Sequence, residues 1–286
     1  MTDPAMHPDA TAAFSVIIAA NNEEGYIGAC LDALLGQDMA AGPLDVVVVA
    51  NACTDRTAQI VESHVSSFAA RGWHLRCLHR PQPGKVGALN AGDAAAEGAL
   101  RAYLDADVIC SPALFGQLRA ALADPRPLYA TGTLRVMPAR SRITRLYARF
   151  WQQLPFVKSG GVGAGLFAVN AAGRRRWDAF PDIISDDTFV RLQFAPAERI
   201  EVPAVYDWPM IEGWRGLVKV RRRQDAGVRE IHANYPDIVS NEAKARLGPL
   251  GVLTLAVRHP VSFAVYAGIQ LAVKTRSGDN AWTRGR

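Results

Sequence analysis

Residues 14–24 read FSVIIAANNEE, and residues 45–55 read DVVVVANACTD. Each is an almost unbroken apolar run of strand length that ends abruptly in polar residues. A strand without polar alternation is covered on both faces, as in a parallel sheet between helix layers. Between the two runs, Ile27, Leu31, Leu34 and Leu35 fall at helical spacing within residues 24–37. Working outward, residues 55–70 and 86–96 read as helices, and residues 75–78 and 99–104 as strands. This alternation predicts a doubly wound α/β fold with right-handed crossovers and helices on both faces.

In such sheets ligands bind beyond the carboxyl ends of the strands. The residues there are Asn21, Asn22, Glu23 and Glu24 after the first strand and Asn51 to Asp55 after the second. Gly84 and Lys85 open the third helix, and Asp105 and Asp107 follow the fourth strand. On one parallel sheet all four groups converge on a single cleft. Asp105 and Asp107, two apart on an extended segment, point the same way and repel unless a cation lies near. Oxygen-only ligation suits Mg²⁺ or Mn²⁺. The bland alternative is a capped turn. A lysine opening a helix opposes the helix dipole, which predicts a bound phosphate or an acidic neighbour for Lys85. Asp186 and Asp187 open a further helix; one can cap it, leaving the other for proton transfer. The P-loop pattern fails because Val86 follows Lys85, and residues 160–165 do not fit the dinucleotide-binding fingerprint.

The second half is less regular. Residues 141–154 read as an amphipathic helix with Arg142, Arg145 and Arg149 off its apolar face. Residues 160–165 form a glycine-rich loop, and residues 186–194 and 217–230 read as helices. Two apolar runs, 250–257 and 261–273, are separated by Arg258, His259 and Pro260. Each is too short to cross a bilayer, which takes about 20 residues. They form either an interfacial or re-entrant hairpin or a core-packing helix pair.

The chain has 286 residues, 49% of them hydrophobic, with a net charge of +5. Arginines cluster at Arg140 to Arg149, Arg174 to Arg176 and Arg221 to Arg223, which suits a phosphate-rich or membrane-surface partner. No nucleic-acid recognition motif accompanies them. The four cysteines form no CxxC pair, no histidine sits at metal spacing beside them, and they read as buried thiols in a reducing compartment. The opening MTDPAMHPDA lacks a positive n-region and an apolar h-region, so it does not read as a secretory signal.

Taken in order, the motifs resemble those of the family 2 inverting glycosyltransferases with the GT-A fold, of the bacterial polysaccharide or glycolipid type. SVIIAANNEE resembles the opening strand, VVVVANACTDRTA the second strand and its turn, and GKVGALNAG the following helix. YLDADV matches the DxD metal motif, and ISDDTFVRL resembles the catalytic segment. The resemblance implies a Rossmann-like, mostly parallel sheet in a transferase domain over residues 12–240, with a helical membrane-associating segment over 241–286. It implies donor binding by Ala19, Asn21, Glu23, Asn51, Lys85 and Asp105, and metal binding (Mg²⁺ or Mn²⁺) by Asp107. Asp187 is the implied catalytic base, with Gly163, Asp186, Arg222 and Arg223 near the acceptor or diphosphate. The substrates would be a nucleotide-diphosphate sugar and a lipid-linked or saccharide acceptor, with inversion. The setting would be cytoplasmic, peripheral at the inner face of the cell membrane, with no nucleic-acid partner.

Asn21 and Asn51 depart from the family's usual aromatic and acid. Arg222-Arg223-Gln224 lacks the Trp of the processive synthases. The tail from Asn280 is similar to bacterial exopolysaccharide transferases. The competing readings are a nucleotidyltransferase or other metal-dependent phosphate enzyme, and a non-catalytic membrane-surface protein. His232 reads as a surface histidine.

Overall fold

Alternate residues of the first strand serve different cores. In β1 (Phe14–Ala20), Val16 and Ile18 join the cluster under α1 (Ile27–Leu35), where Leu31 and Leu34 are buried. Ile17 faces the other way, into a second cluster. β2 (Leu44–Asn51) behaves likewise: Val46 and Val48 pack with Val61 and Phe68 of α2 (Thr57–Ala70), and Val47 and Val49 pack on the opposite face. After β3 (His74–Arg80), α3 (Lys85–Ala95) supplies Ala88 and Leu89 to that opposite face. A period-2 backbone with apolar residues on both sides therefore carries helices on both sides.

The chain continues through β4 (Leu100–Leu104), β5 (Ile109–Cys110), α4 (Leu114–Ala121) and β6 (Tyr129–Val136). α5 (Arg142–Trp151) and the short α6 (Pro155–Lys158) precede β7 (Leu166–Val169) and the short α7 (Ala171–Arg174). Then come α8 (Asp186–Leu192), β8 (Arg199–Trp208), α9 (Gly213–Asn234), α10 (Pro236–Val239), α11 (Pro249–Arg258) and α12 (Pro260–Thr275). This computed structural model describes residues 14–158, 161–243, 245 and 247–275. The polar opening, Gly160 and the tail from Asn280 lie outside the described residues.

Among the described residues, eight strands run in the order β3-β2-β1-β4-β7-β6-β8-β5. β1 to β4 pair in parallel, as do β6 and β8. β7 runs antiparallel to both β4 and β6, and β5 antiparallel to β8. The parallel half is thus joined to a mixed half that periodicity did not resolve. α1 begins later than expected because residues 21–26 form a loop, with the N–H groups of Tyr26 and Ile27 donating to the Glu23 carbonyl. α9 outruns its expected span of 217–230 because no helix breaker interrupts it before Pro236.

One buried carboxylate ties the halves together. Asp93 of α3 accepts from Arg101 of β4 at 2.7 Å, from Tyr103 at 2.5 Å and from Arg174 of α7 at 2.6 Å. Burial alone would raise this carboxyl, but hydrogen bonds from Arg174, Tyr103 and Arg101 hold it below the ordinary range.

The two C-terminal helices pack unequally. α12 is docked: Phe150 of α5 lies 4.8 Å from Tyr266 and 5.5 Å from Phe263, and Tyr147 stacks on Tyr266 at 5.3 Å. α11 has no buried residue. Among the described residues, no helix is long and apolar enough to cross a membrane.

Candidate functional site

The loops after β1 and β2 are laced together. The Asn21 side chain donates to the carbonyls of Asn51 (2.6 Å) and Ala52 (3.2 Å). Asn22 Oδ1 accepts from the Thr54 N–H at 2.7 Å, and Thr57 Oγ1 accepts from the Glu23 N–H at 2.7 Å. Asn22 and Ala52 both have φ near +50°, at 54° and 49°. For Ala52 that conformation is strained, and the surrounding lattice of hydrogen bonds holds it. Asn51 is buried, and its Oδ1 accepts from Arg80 at 3.2 Å. The asparagine at 51, unexpected for the family, thus faces an arginine.

Lys85 opens α3 after Gly84, whose φ of 133° admits the sharp entry. Its Nζ lies 3.1 Å from Asp105 and 3.1 Å from Asp186. Of the two partners expected at its helix start, a bound phosphate or an acidic neighbour, the second is present. Burial would lower this ammonium, but Asp105, Asp186 and Asp187 outweigh it and hold its pKa well above the ordinary lysine value. Burial pushes Asp186 up, with Lys85 opposing. Cys30 Sγ lies 3.9 Å from the Asp105 carbonyl; burial, Cys110, Asp107 and Asp105 all keep its thiol protonated.

Three cavities run in series from these residues. The first, about 200 Å³, is lined by Ala19, Asn21, Glu23, Asn51, Lys85, Asp105, Asp107 and Arg223. The second, about 110 Å³, shares Lys85, Asp105 and Arg223 and adds Gly163, Asp186 and Asp187. The third, about 400 Å³, shares Asp187 and contains Trp151, Phe156, Arg199, Glu201 and Trp208. Asp187 sits where the second meets the third, and its Oδ1 accepts from the Thr188 N–H at 2.6 Å. Asp105 and Asp107 line one cavity, from the turn after β4 rather than from the extended segment expected, with the Asp105 carbonyl accepting from the Val108 N–H at 3.2 Å. That donor set fits a hard divalent cation, which needs only one or two protein carboxylates beside substrate phosphates.

Of the residues singled out in the sequence, Arg222 stands apart from the cavities. Its guanidinium donates to the Ala272 carbonyl at 2.7 Å and the Val273 carbonyl at 3.4 Å, at the end of α12. Helical geometry turns Arg221, Arg223 and Gln224 inward instead. His232 is exposed on α9, as expected. Sequence reasoning missed the far wall of the first cavity, built by Tyr147, Trp151, Trp208, Met210 and Leu217. The apolar face of α5 was visible, but not what it faces.

Gly163 and Gly165 have φ of 64° and 78°. A Cβ on Gly163 would fall 1.8 Å from Tyr129 Oη, and one on Gly165 2.7 Å from Trp208. The glycine-rich loop is therefore demanded by close approach as well as by conformation.

Two of the cysteines, Cys30 and Cys110, are buried; Cys53 and Cys77 are partly exposed, and all four are free. Cys77 does have a histidine beside it: Glu62, Cys77 and His79 gather on the outer side of β3. Cys77 and His79 share a strand face, and Glu62 arrives from α2, which no spacing rule reveals.

Comparison with known proteins follows the same line. The family described as glycosyl transferase family 2 matches residues 15–179, more than half of the chain. The EpsJ glycosyltransferase of Bacillus subtilis is 31% identical over 104 residues, covering 36% of this chain and 28% of that protein. YibD of Escherichia coli is 27% identical over 110 residues, covering 38% and 30%. The chain thus spans less than a third of these curated relatives in matched length. Among solved structures, the mannosyltransferase PcManGT of Pyrobaculum calidifontis, in complex with GDP-Man and Mn²⁺, superposes with a TM-score of 0.59 at 23% identity, covering 95% of this chain and 78% of that one. TarS 1–349 of S. aureus, in complex with UDP-GlcNAc, gives 0.54 at 14%, covering 91% of each. Glucosyl-3-phosphoglycerate synthase of Mycobacterium tuberculosis gives 0.51 at 20%, covering 78% of this chain and 80% of that one. The chain belongs to glycosyl transferase family 2 and has the GT-A fold.

Proposed function

We propose that this chain is a glycosyltransferase that moves a sugar from a nucleotide-diphosphate donor to an acceptor hydroxyl with inversion, in exopolysaccharide or glycolipid synthesis. The observation that carries the reading is the position of Asp187 between the cavity holding Lys85 and Asp105 and the larger cavity beyond. The base and ribose lie toward Asn21, Glu23 and Asn51, and the diphosphate near Lys85, Asp105, Asp107 and Arg223. Lys85 releases its carboxylate contacts to meet phosphate oxygens. A bound Mg²⁺ or Mn²⁺, held by Asp107 with Asp105 nearby, would neutralise charge on the departing diphosphate.

Asp187 takes the proton from the acceptor hydroxyl as it attacks the anomeric carbon, and a single displacement inverts that centre. The third cavity supports a saccharide acceptor, free or lipid-linked: Trp151, Phe156 and Trp208 offer apolar ring faces, and Glu201 and Arg199 offer hydroxyl partners. The named complexes of the solved relatives, with GDP-Man and Mn²⁺ or with UDP-GlcNAc, support a nucleotide-sugar donor. The setting we propose is cytoplasmic and peripheral, at the inner face of the cell membrane.

A thermal-shift screen of nucleotide-diphosphate sugars with and without Mn²⁺ tests the reading. One donor should raise the melting temperature, more so with Mn²⁺, and Asp107→Ala should remove the metal's increment. No stabilisation by any donor, or an increment that survives in Asp107→Ala, counts against it.

A further inference from the structure

α11 has the sequence PLGVLTLAVR; no residue of it is fully buried, and Leu255 packs half-buried against the cluster of α5 and α12. Leu250, Leu253 and Val257, at i, i+3 and i+7, are 80%, 61% and 73% exposed and form one stripe along the helix. Val261, 62% exposed, continues it past the break. An apolar stripe of this kind marks an interaction surface. Beside it lies a cavity of about 410 Å³ lined by Arg142, Arg145 and Arg149 of α5, Arg258 and His259, with no acidic residue in its wall among the described residues. Among the described residues none of these four arginines is in an ion pair. Arg145 spends its donors on the carbonyls of Ala139 and Arg140 and keeps its charge.

We propose that this surface docks on an anionic phospholipid bilayer, with lipid phosphates in the arginine cavity and the α11 stripe in the acyl boundary. Guanidinium groups match phosphate geometry, and a short apolar helix beside fixed positive charge lies in the interface plane. At ten residues α11 is about 15 Å long, half of a hydrocarbon core of about 30 Å, so it rests in the membrane without crossing it. A second copy of the chain fits poorly as the occupant: a two-fold contact would set the arginine cavity against itself. The docking also orients the enzyme. α5 carries these arginines on its exposed side and Tyr147 and Trp151 on its buried side, where they line the first cavity. One rigid helix therefore joins the bilayer to the cleft. The inference deepens the membrane setting proposed above, and its test uses neither donor nor acceptor, so the two can fail separately.

The test is co-sedimentation with vesicles rich in phosphatidylglycerol, against vesicles of phosphatidylcholine alone, at low and high salt. The chain should pellet with the anionic vesicles, less so at high salt, and only weakly with the neutral ones. Removing three charges (Arg142→Gln, Arg149→Gln and Arg258→Gln together) should weaken partitioning on the order of a hundredfold, about fivefold per arginine. Leu253→Asp with Val257→Asp should also abolish it. Both variants change exposed positions and should melt with the parent. Equal binding to neutral vesicles, no binding at all, or unchanged binding by either variant overturns the proposal. So does a dimer in sedimentation equilibrium that Leu253→Asp dissociates, which would make the stripe a subunit interface.

Discussion

In the parallel half, β1, β2 and β4 run side by side in one direction, and the loops after them meet because the strands do. Asn21, Asn51, Asp105 and Asp107 reach the cleft by topology alone. In the mixed half nothing so simple operates. Tyr147 and Trp151 come from a helix, Trp208 from the last position of β8, and Arg223 and Gln224 from α9. The near wall is polar and made of short-range motifs; the far wall is aromatic and cationic, gathered from distant segments. A parallel sheet imposes where its ligand goes, and the second half is free to vary what the ligand meets.

The largest expected effect lies at the seam. Asp187→Asn should keep donor-induced stabilisation but lower turnover by roughly 10²–10⁴-fold, the range for a positioned general base. Normal turnover in that variant would move the chemistry off the seam.

Next comes the joint between the halves. Asp93→Asn leaves Arg101 and Arg174 without their buried partner and should cost about 3–5 kcal/mol. In a domain of this size that is a fall in melting temperature of roughly 10 °C or more. The pH dependence has a definite direction. The Asp93 carboxyl is depressed in the folded state, so its contribution is complete above the unfolded value of about 4 and is lost as pH falls below that. Acid titration of stability should therefore be shallower in Asp93→Asn than in the parent. An equally steep titration would mean that other groups carry the acid sensitivity.

Smaller effects sharpen the contrast within the second half. Gly163→Ala should cost about 1–3 kcal/mol by overpacking against Tyr129, read as a lowered melting temperature. Tyr129→Phe alone should be nearly neutral or slightly stabilising, because the buried Tyr129 hydroxyl has no hydrogen-bond partner among the described residues. Combined with Gly163→Ala, it should recover part of the loss. Strict additivity of the two changes would show that φ alone, and not the ring oxygen, requires glycine there.

Much of the near wall was legible because its signals are local. The abrupt ends of the apolar runs at Ala20 and Ala50 marked, to within a residue, where the strands stop. The awkward position of Lys85 at a helix start called for a bound phosphate or an acidic neighbour, and the structure supplies Asp105 and Asp186. The far wall was not legible. The apolar face of α5 looks the same whether it meets α12 or lines a cavity, and which arginine of the 221–223 triplet turns inward depends on how α9 is rotated. Similarly, Asp93 sat unremarked in the third helix, since nothing near it in sequence foretells Arg174.

By itself the sequence determined the alternation of strand and helix, the two-sided burial of β1 and β2 and the order of polar groups at the strand ends, because hydrophobic period and strand termination are properties of neighbouring residues. Only the tertiary structure decided that Asp187 stands between two cavities, that Arg222 faces α12 while Arg223 faces the cleft, and that α12 is docked while α11 leaves an apolar stripe exposed. Those outcomes depend on which surfaces packing brings together across fifty residues of chain or more, and no local pattern encodes that choice.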